Sequence, residues 1–353
     1  MKKAHFGLVI IEMCACSVLA HTVRYSIHVT DAATGNPVEN VPCETIFTTH
    51  TGNWNDMSKG TLKRGLTNAN GDISFEGDSD ENHITYSLKI EDGNFYPITR
   101  KQLLFDHVSG AISKRWEPYD SVVTVALQRI EHPIPLFVKH VELRDNKNGI
   151  GCFDGTNSVL RFDLMKGEWL PPYGNGEVAD LPIDSKLTIT DRERKFRYAT
   201  KKVEDVLFYE LSNTIDFGGQ DDFVRQFDAG KMAGIKIREA TDFNPGNRVV
   251  KAMGMRKIIA KNKNWHCEYY SDKNADRCYT FRIRSRRNEK GELVEAYYGK
   301  IYGDFEFEGD DKKGLIGVKF LYYLNPTSLA RNLEWDMKHN HCSSPGNVGA
   351  FQP

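Results

Sequence analysis

The 353-residue chain is expected to be all-β, arranged as two β-sandwich domains. Three observations carry this. Short runs alternate apolar with polar residues, so one face of each packs and the other meets water. Turn chemistry recurs between those runs. Long helical periodicity is absent, and Tyr and Phe, 15 and 19 of them, suit a pleated, half-buried surface.

The first residues read as a leader. Lys2 and Lys3 precede an apolar run from Phe6 to Leu19, too short for a comfortable membrane span. The run ends Val18-Leu19-Ala20, the small or apolar pattern a signal peptidase reads. Residues 1–20 are therefore expected to be a signal peptide, with His21 first in the mature protein and the location periplasmic or cell-surface. A second reading puts a lipid on Cys16, after Met13-Cys14-Ala15. No later stretch reaches spanning length, so no transmembrane segment is expected in the mature chain. Formal net charge is −1, which gives no electrostatic case for nucleic acid.

From Val23 to about Ile130, strands and turns alternate closely. Tyr25-Ser26-Ile27-His28-Val29 is a half-buried strand. Asp31 to Pro37 is a turn, and Val38 and Val41 open the next strand. Asn70-Gly71 marks a tight turn, followed by Ile73-Ser74-Phe75. Tyr86-Ser87-Leu88-Lys89-Ile90 is closed by Asp92-Gly93, and Val122 to Leu127 ends the module. Arg129-Ile130-Glu131-His132-Pro133-Ile134-Pro135 follows, and its prolines cannot donate to a ladder. Residues 131–135 are thus expected to link a module at 21–130 to a second β-rich domain at 136–353.

Val29-Thr30-Asp31, Thr34-Gly35-Asn36-Pro37-Val38, Thr67-Asn68-Ala69-Asn70-Gly71-Asp72-Ile73-Ser74-Phe75 and Tyr86-Ser87-Leu88-Lys89-Ile90 together resemble the carboxypeptidase-regulatory-like family. That resemblance implies a transthyretin-like sandwich with a structural or binding role and no catalytic residues. The insert from His50 to Leu62 departs from the family's pattern.

In the second domain, Ser158–Leu164, Lys186–Thr190, Val203–Leu211, Tyr279–Arg286, Val294–Phe307 and Leu315–Leu324 read as strands, and a larger sandwich, jelly-roll-like in form, is expected. Asn288-Glu289-Lys290-Gly291 is a hairpin turn. Trp169-Leu170-Pro171-Pro172-Tyr173-Gly174-Asn175-Gly176 is an irregular loop. This half resembles secreted bacterial proteins of unknown function, on Phe162-Asp163-Leu164, Tyr298-Gly299-Lys300-Ile301 and Tyr322-Tyr323-Leu324-Asn325-Pro326, a resemblance that implies architecture alone.

Removing the leader takes Cys14 and Cys16 and leaves Cys43, Cys152, Cys267, Cys278 and Cys342, an odd set. Cys267 and Cys278 flank the polar stretch Ser271 to Asp276. Two strands joined there would bring their sulfurs together, so a disulfide is expected.

The common catalytic signatures H-E-x-x-H, G-x-S-x-G, the phosphate loop and G-x-G-x-x-G are missing. His140-Val141-Glu142 lacks the cysteine pair of a zinc deaminase. Weaker constellations remain. Asp78, Asp80 and Asn82 alternate oxygen ligands as a calcium loop does. Asp216, Asp221, Asp222 and Asp228 cluster around Gly218-Gly219, as calcium ligands or a carboxylate pair would. A mature N-terminal His21 could chelate copper with a second histidine, among His28, His50, His83 and His107. Each has a plain alternative: a solvated turn, an acidic loop, an ordinary strand residue. Trp169, Tyr173 and Asn175 suit a polar, ring-containing ligand, unless the loop merely caps the sandwich over a buried Trp169.

These readings point to an exported binding or structural protein, with a polysaccharide or cell-envelope ligand and no resident cofactor beyond calcium. The rivals are a hydrolase of carbohydrate or peptide, using carboxylates of the second domain, and a metal-binding periplasmic protein.

Overall fold

The chain is described by a computed structural model covering 21–50, 59–79, 83–105, 107–109, 115–143, 153–154, 158–197, 202–219, 221–228, 239–240, 249–258, 267–271, 274, 277–309, 315–346 and 348. The protein is all-β, and no α-helix occurs among the described residues. Two compact units divide at Leu127/Gln128.

The first unit holds β1 (His21–Asp31), β2 (Pro42–His50), β3 (Lys59–Leu66), β4 (Asp72–Ser79), β5 (His83–Ile90), β6 (Ile98–Phe105), β7 (His107–Ser109), β8 (Arg115–Glu117) and β9 (Ser121–Leu127). One sheet runs β4-β1-β8-β7 with β9 also on β1, and the other runs β3-β2-β5-β6. The alternation read in β1 is realised, with Val23, Tyr25, Ile27 and Val29 all fully buried. Tyr25 stacks on Tyr86 at 3.9 Å between ring centroids. Its hydroxyl would be costly to bury alone, and it donates to Thr45 Oγ1 at 2.6 Å. The Asn-Gly turn forms around Asn68, whose Oδ1 accepts the Asn70 and Asp72 N–H groups at 2.9 and 3.0 Å. Gly71 there has φ +75°, and a Cβ on it would sit 2.3 Å from the Val29 carbonyl oxygen. Only glycine fits.

The second unit holds β10 (Ile134–Leu143), β11 (Phe153–Asp154), β12 (Ser158–Asp163), β13 (Glu168–Trp169), β14 (Leu181–Arg197), β15 (Lys202–Asp216), β16 (Phe223–Asp228), β17 (Val249–Ile258), β18 (Cys267–Ser271), β19 (Arg277–Arg287), β20 (Leu293–Gly309), β21 (Leu315–Leu324) and β22 (Trp335–Asn340). A seven-stranded sheet runs β16-β19-β20-β21-β10-β22, with β11 on β21, and a six-stranded sheet runs β13-β12-β14-β15-β17-β18. Their shared core includes Phe162, Leu181, Ile183, Phe281, Ile301 and Tyr322. The Asn288–Gly291 hairpin turn closes as its residues suggest, with Asn288 Oδ1 accepting the N–H groups of Lys290 and Glu292 and Gly291 at φ +78°.

Glu131–Pro135 belongs to this second unit. Glu334 accepts the N–H groups of Glu131 and His132 at 3.3 and 2.6 Å, and the Ile134 N–H donates to the Glu334 carbonyl. Pro135 does not stop pairing. It sits where the β10–β22 register shifts between Ile134 and Leu136, an irregularity that tolerates a missing donor.

The expected Cys267–Cys278 disulfide is corrected. Cys278 is buried and forms no disulfide. The two residues do not share a hairpin: Cys267 begins β18, which pairs with β17 in the six-stranded sheet, whereas Cys278 lies on β19, paired with Phe227 of β16 in the other sheet.

Candidate functional site: a braced surface loop

The most developed polar site lies where the chain leaves β12 and returns to β14, over residues 163–180. Asp163 organises it. Its Oδ1 accepts the Met165 and Lys166 N–H groups at 3.1 and 2.9 Å. Its Oδ2 accepts the Glu177 and Val178 N–H groups, both at 3.1 Å. One carboxylate thus ties both ends of the loop together. Asp180 adds a second tie, accepting the Leu164 N–H at 2.9 Å. Gly174 lets the loop lie flat, since a Cβ there would meet the Trp169 carbonyl oxygen at 2.5 Å.

The brace comes from the opposite sheet. Arg284 Nε and Nη2 donate to the two oxygens of Asp180, each at 2.7 Å, and Nη2 also donates to Asp163 at 2.8 Å. The side chains of Asp163 and Asp180 are 2% and 1% exposed and that of Arg284 is 25% exposed. Ile283 and Arg284 are sequence neighbours that strand alternation would send to opposite faces. The β19–β20 register breaks between Ile283 and Arg286, and Arg284 adopts φ +53°. This irregularity aims its guanidinium at the loop. Asp222 fixes the turn from behind by accepting the N–H groups of Arg284, Ser285 and Gly219 at 3.1, 2.9 and 2.9 Å.

Two carboxylates on one guanidinium divide its charge unequally. Burial pushes Asp163 upward, but the Lys166, Val178 and Glu177 amides and Arg284 outweigh it and hold the carboxyl below its usual range. Burial dominates at Asp180, which stays above its usual range despite Arg284 and the Leu164 amide. Arg284 is drawn down by burial and lifted more by the two aspartates. It remains a cation, and the cluster carries excess negative charge.

Trp169 and Tyr173 part company. Trp169 lies in the core, 7% exposed, edge-on to Phe162 at 4.8 Å between ring centroids. It supports the loop from below and offers no free face to a ligand, which corrects its assignment as a stacking platform; a ring that follows a β-strand pair inward is taken up by the core. Tyr173 is 40% exposed, and Asn175, Pro171 and Pro172 are exposed with it. The outward surface of the loop tip at 171–175 thus offers one aromatic ring, one amide and two rigid imino rings, with Lys166, Glu177 and Val178 exposed elsewhere on the loop.

The other candidate residues are placed as follows. Asp222 is occupied by three amides and so differs from a free acid–base group. Asp221 pairs with Arg287 at 2.9 Å, and Asp216 accepts the Gly218 N–H at 3.2 Å. The side chain of Asp228 lies outside the described residues. So do those of Asp78, Asp80 and Asn82, and with them the calcium-loop reading. His28 Nδ1 lies 2.7 Å from Asp72 Oδ1. His21 packs edge-on to Trp116 at 6.1 Å between ring centroids. The side chains of His50, His83 and His107 lie outside the described residues. Among the described residues, no group of three or more His, Cys, Asp or Glu side chains is placed to hold a metal ion.

Sequence reading missed Arg284 and Asp180. Arg284 stands in Arg282-Ile283-Arg284-Ser285-Arg286-Arg287, a run that looks like a solvated strand end. Asp163 carried one usable signal, an aspartate ending a strand four residues before a glycine, as in turns that fold onto their own carboxylate.

No protein-family model matches the chain, and no curated protein matches it. Among solved structures, the shaft pilin SpaA from Lactobacillus rhamnosus GG is similar at 10% identity and TM-score 0.20, over 57% of this chain and 90% of that one. A double mutant of the same pilin gives 8% identity and the same TM-score and coverage. A likeness that low carries no conclusion about fold or function. No helix among the described residues is long and apolar enough to cross a membrane.

Proposed function

We propose that this is an exported binding or structural protein whose second unit presents the 163–180 loop to a polysaccharide or cell-envelope ligand. The observation that carries the reading is the brace. Arg284, Asp163 and Asp180 hold the loop in one shape before any ligand arrives, so little ordering entropy is lost on contact. Tyr173 and Asn175 then supply a ring to stack on a sugar and an amide to hydrogen-bond it. Export rests on Lys2-Lys3 and Val18-Leu19-Ala20, with cleavage after Ala20. A carboxypeptidase-regulatory-like first unit, a supporting module, rests on the Thr34–Val38 and Thr67–Phe75 motifs.

The test is retention of the pure protein on a panel of polysaccharides and on peptidoglycan, with product release followed in the same samples. Tyr173→Ala combined with Asn175→Ala should abolish retention while leaving the thermal transition unchanged, because both side chains are exposed. Retention that survives the double substitution would reject the loop as the contact surface. Steady product release by the pure protein would overturn binding in favour of hydrolysis.

A further inference from the structure

The edge of the four-stranded sheet in the first unit offers a site that the loop proposal does not use. β3 ends that sheet, and among the described residues it pairs only with β2. The Thr67 N–H, just past its end, donates to the Val41 carbonyl. Backbone direction alternates along a strand, so the N–H and C=O groups of Leu62, Arg64 and Leu66 point the other way, off the sheet edge. Two large apolar side chains on this stretch are exposed, Leu62 at 43% and Leu66 at 58%. Leu66 also lines a cleft of about 390 Å³ with Pro42, Cys43 and Gly65, together with the charged Glu44, Arg64, Lys89 and Glu91. Edge groups unpaired among the described residues, beside two exposed leucines, are what an added strand requires: main-chain bonds for affinity and apolar contacts for alternate side chains.

Charge selects the occupant. β3 reads Lys-Gly-Thr-Leu-Lys-Arg-Gly-Leu, basic at three positions and acidic at none; Arg64 already pairs with Glu44 of β2 at 2.7 Å, so the lysines carry the attraction. Antiparallel pairing with the same strand of a second copy would bring like charges together, which is destabilising. A basic edge blocks self-association and accepts an acidic strand. We propose that the β3 edge is a strand-addition site for an extended, acidic segment of a partner protein, with apolar side chains seated against Leu62 and Leu66.

The probe is a fluorescent octapeptide of alternating glutamate and valine, titrated into the full chain and read by anisotropy. Saturable binding that weakens with salt is expected, with none for the counterpart carrying lysine for glutamate. Lys63→Glu should weaken binding about threefold, as the loss of one exposed charge contact. Leu62→Pro removes one outward N–H without touching the bonds to β2 and should weaken binding about tenfold. Should that variant misfold, methylating alternate peptide nitrogens on the probe tests the same bonds from the other side. Absence of saturable binding, equal binding of the acidic and basic peptides, or indifference to N-methylation would each overturn the proposal. Concentration-dependent dimers of the chain alone, abolished by Leu62→Pro, would do so in favour of a second copy.

Discussion

Arg284→Ala is the perturbation that tests the brace most directly. It removes three charge-assisted hydrogen bonds, two to Asp180 at 2.7 Å and one to Asp163 at 2.8 Å. Both carboxylates stay behind almost fully buried. Breaking a buried pair from one side costs about 3–5 kcal/mol, because an uncompensated charge remains. The guanidinium is 25% exposed, so water recovers part of the loss, and about 3 kcal/mol is expected. Asp180→Asn in the Arg284→Ala background should return some of that by removing one stranded charge, so the two substitutions should be strongly non-additive. The glycine variant refines the prediction. Arg284 sits at φ +53°, where a Cβ is strained, so Arg284→Gly should be about 1 kcal/mol less damaging than Arg284→Ala. The assay is urea unfolding together with amide exchange at Lys166, Glu177 and Val178, whose N–H groups Asp163 holds. Exchange there should rise in Arg284→Ala while the β14–β15 ladder stays protected. A loss under about 1 kcal/mol, the scale of a surface ion pair, or additive single and double variants, would refute the reasoning.

Other expectations follow from the same structure. Trp169→Ala should cost about 3–5 kcal/mol as a core deletion, measured by chemical denaturation, whereas Tyr173→Ala should be nearly neutral. Asp304 accepts the Tyr279 hydroxyl at 2.6 Å and Arg277 at 2.7 Å with its side chain 1% exposed; Asp304→Asn should therefore lose about 3 kcal/mol, again by denaturation. Burial pushes the Cys43 thiol up to about 11. It should resist alkylation near pH ~8.5, where a free thiol is half ionised, and react once the first unit is unfolded, as mass spectrometry of the labelled peptide will show. The sign for stability follows: the folded state holds this proton more tightly, so the contribution is complete below the ordinary thiol range and is lost as pH rises through about 11.

How far residues announce their structure depends on whether the signal is local. The turn at Asn68–Asp72 and the hairpin at Asn288–Gly291 were legible because each closes on its own side chain, and β1 because alternation needs no partner to be seen. The loop at 163–180 was legible only as irregular backbone. Asp163 ties its two ends, but the cation that braces that carboxylate lies 121 positions away, and nothing around Arg284 separates it from the exposed arginines beside it. The disulfide failed for the same reason in reverse. The spacing of Cys267 and Cys278 suggested a hairpin, but pairing partners elsewhere in the chain, β17 for one and β16 for the other, pull the two strands into different sheets. Trp169 shows the remaining ambiguity: an aromatic next to prolines fits a sugar ledge or a core plug equally well until its neighbour is known. Phe162, its register partner across β12 and β13, decides for the core, while Tyr173, four residues on from Trp169, stays 40% exposed.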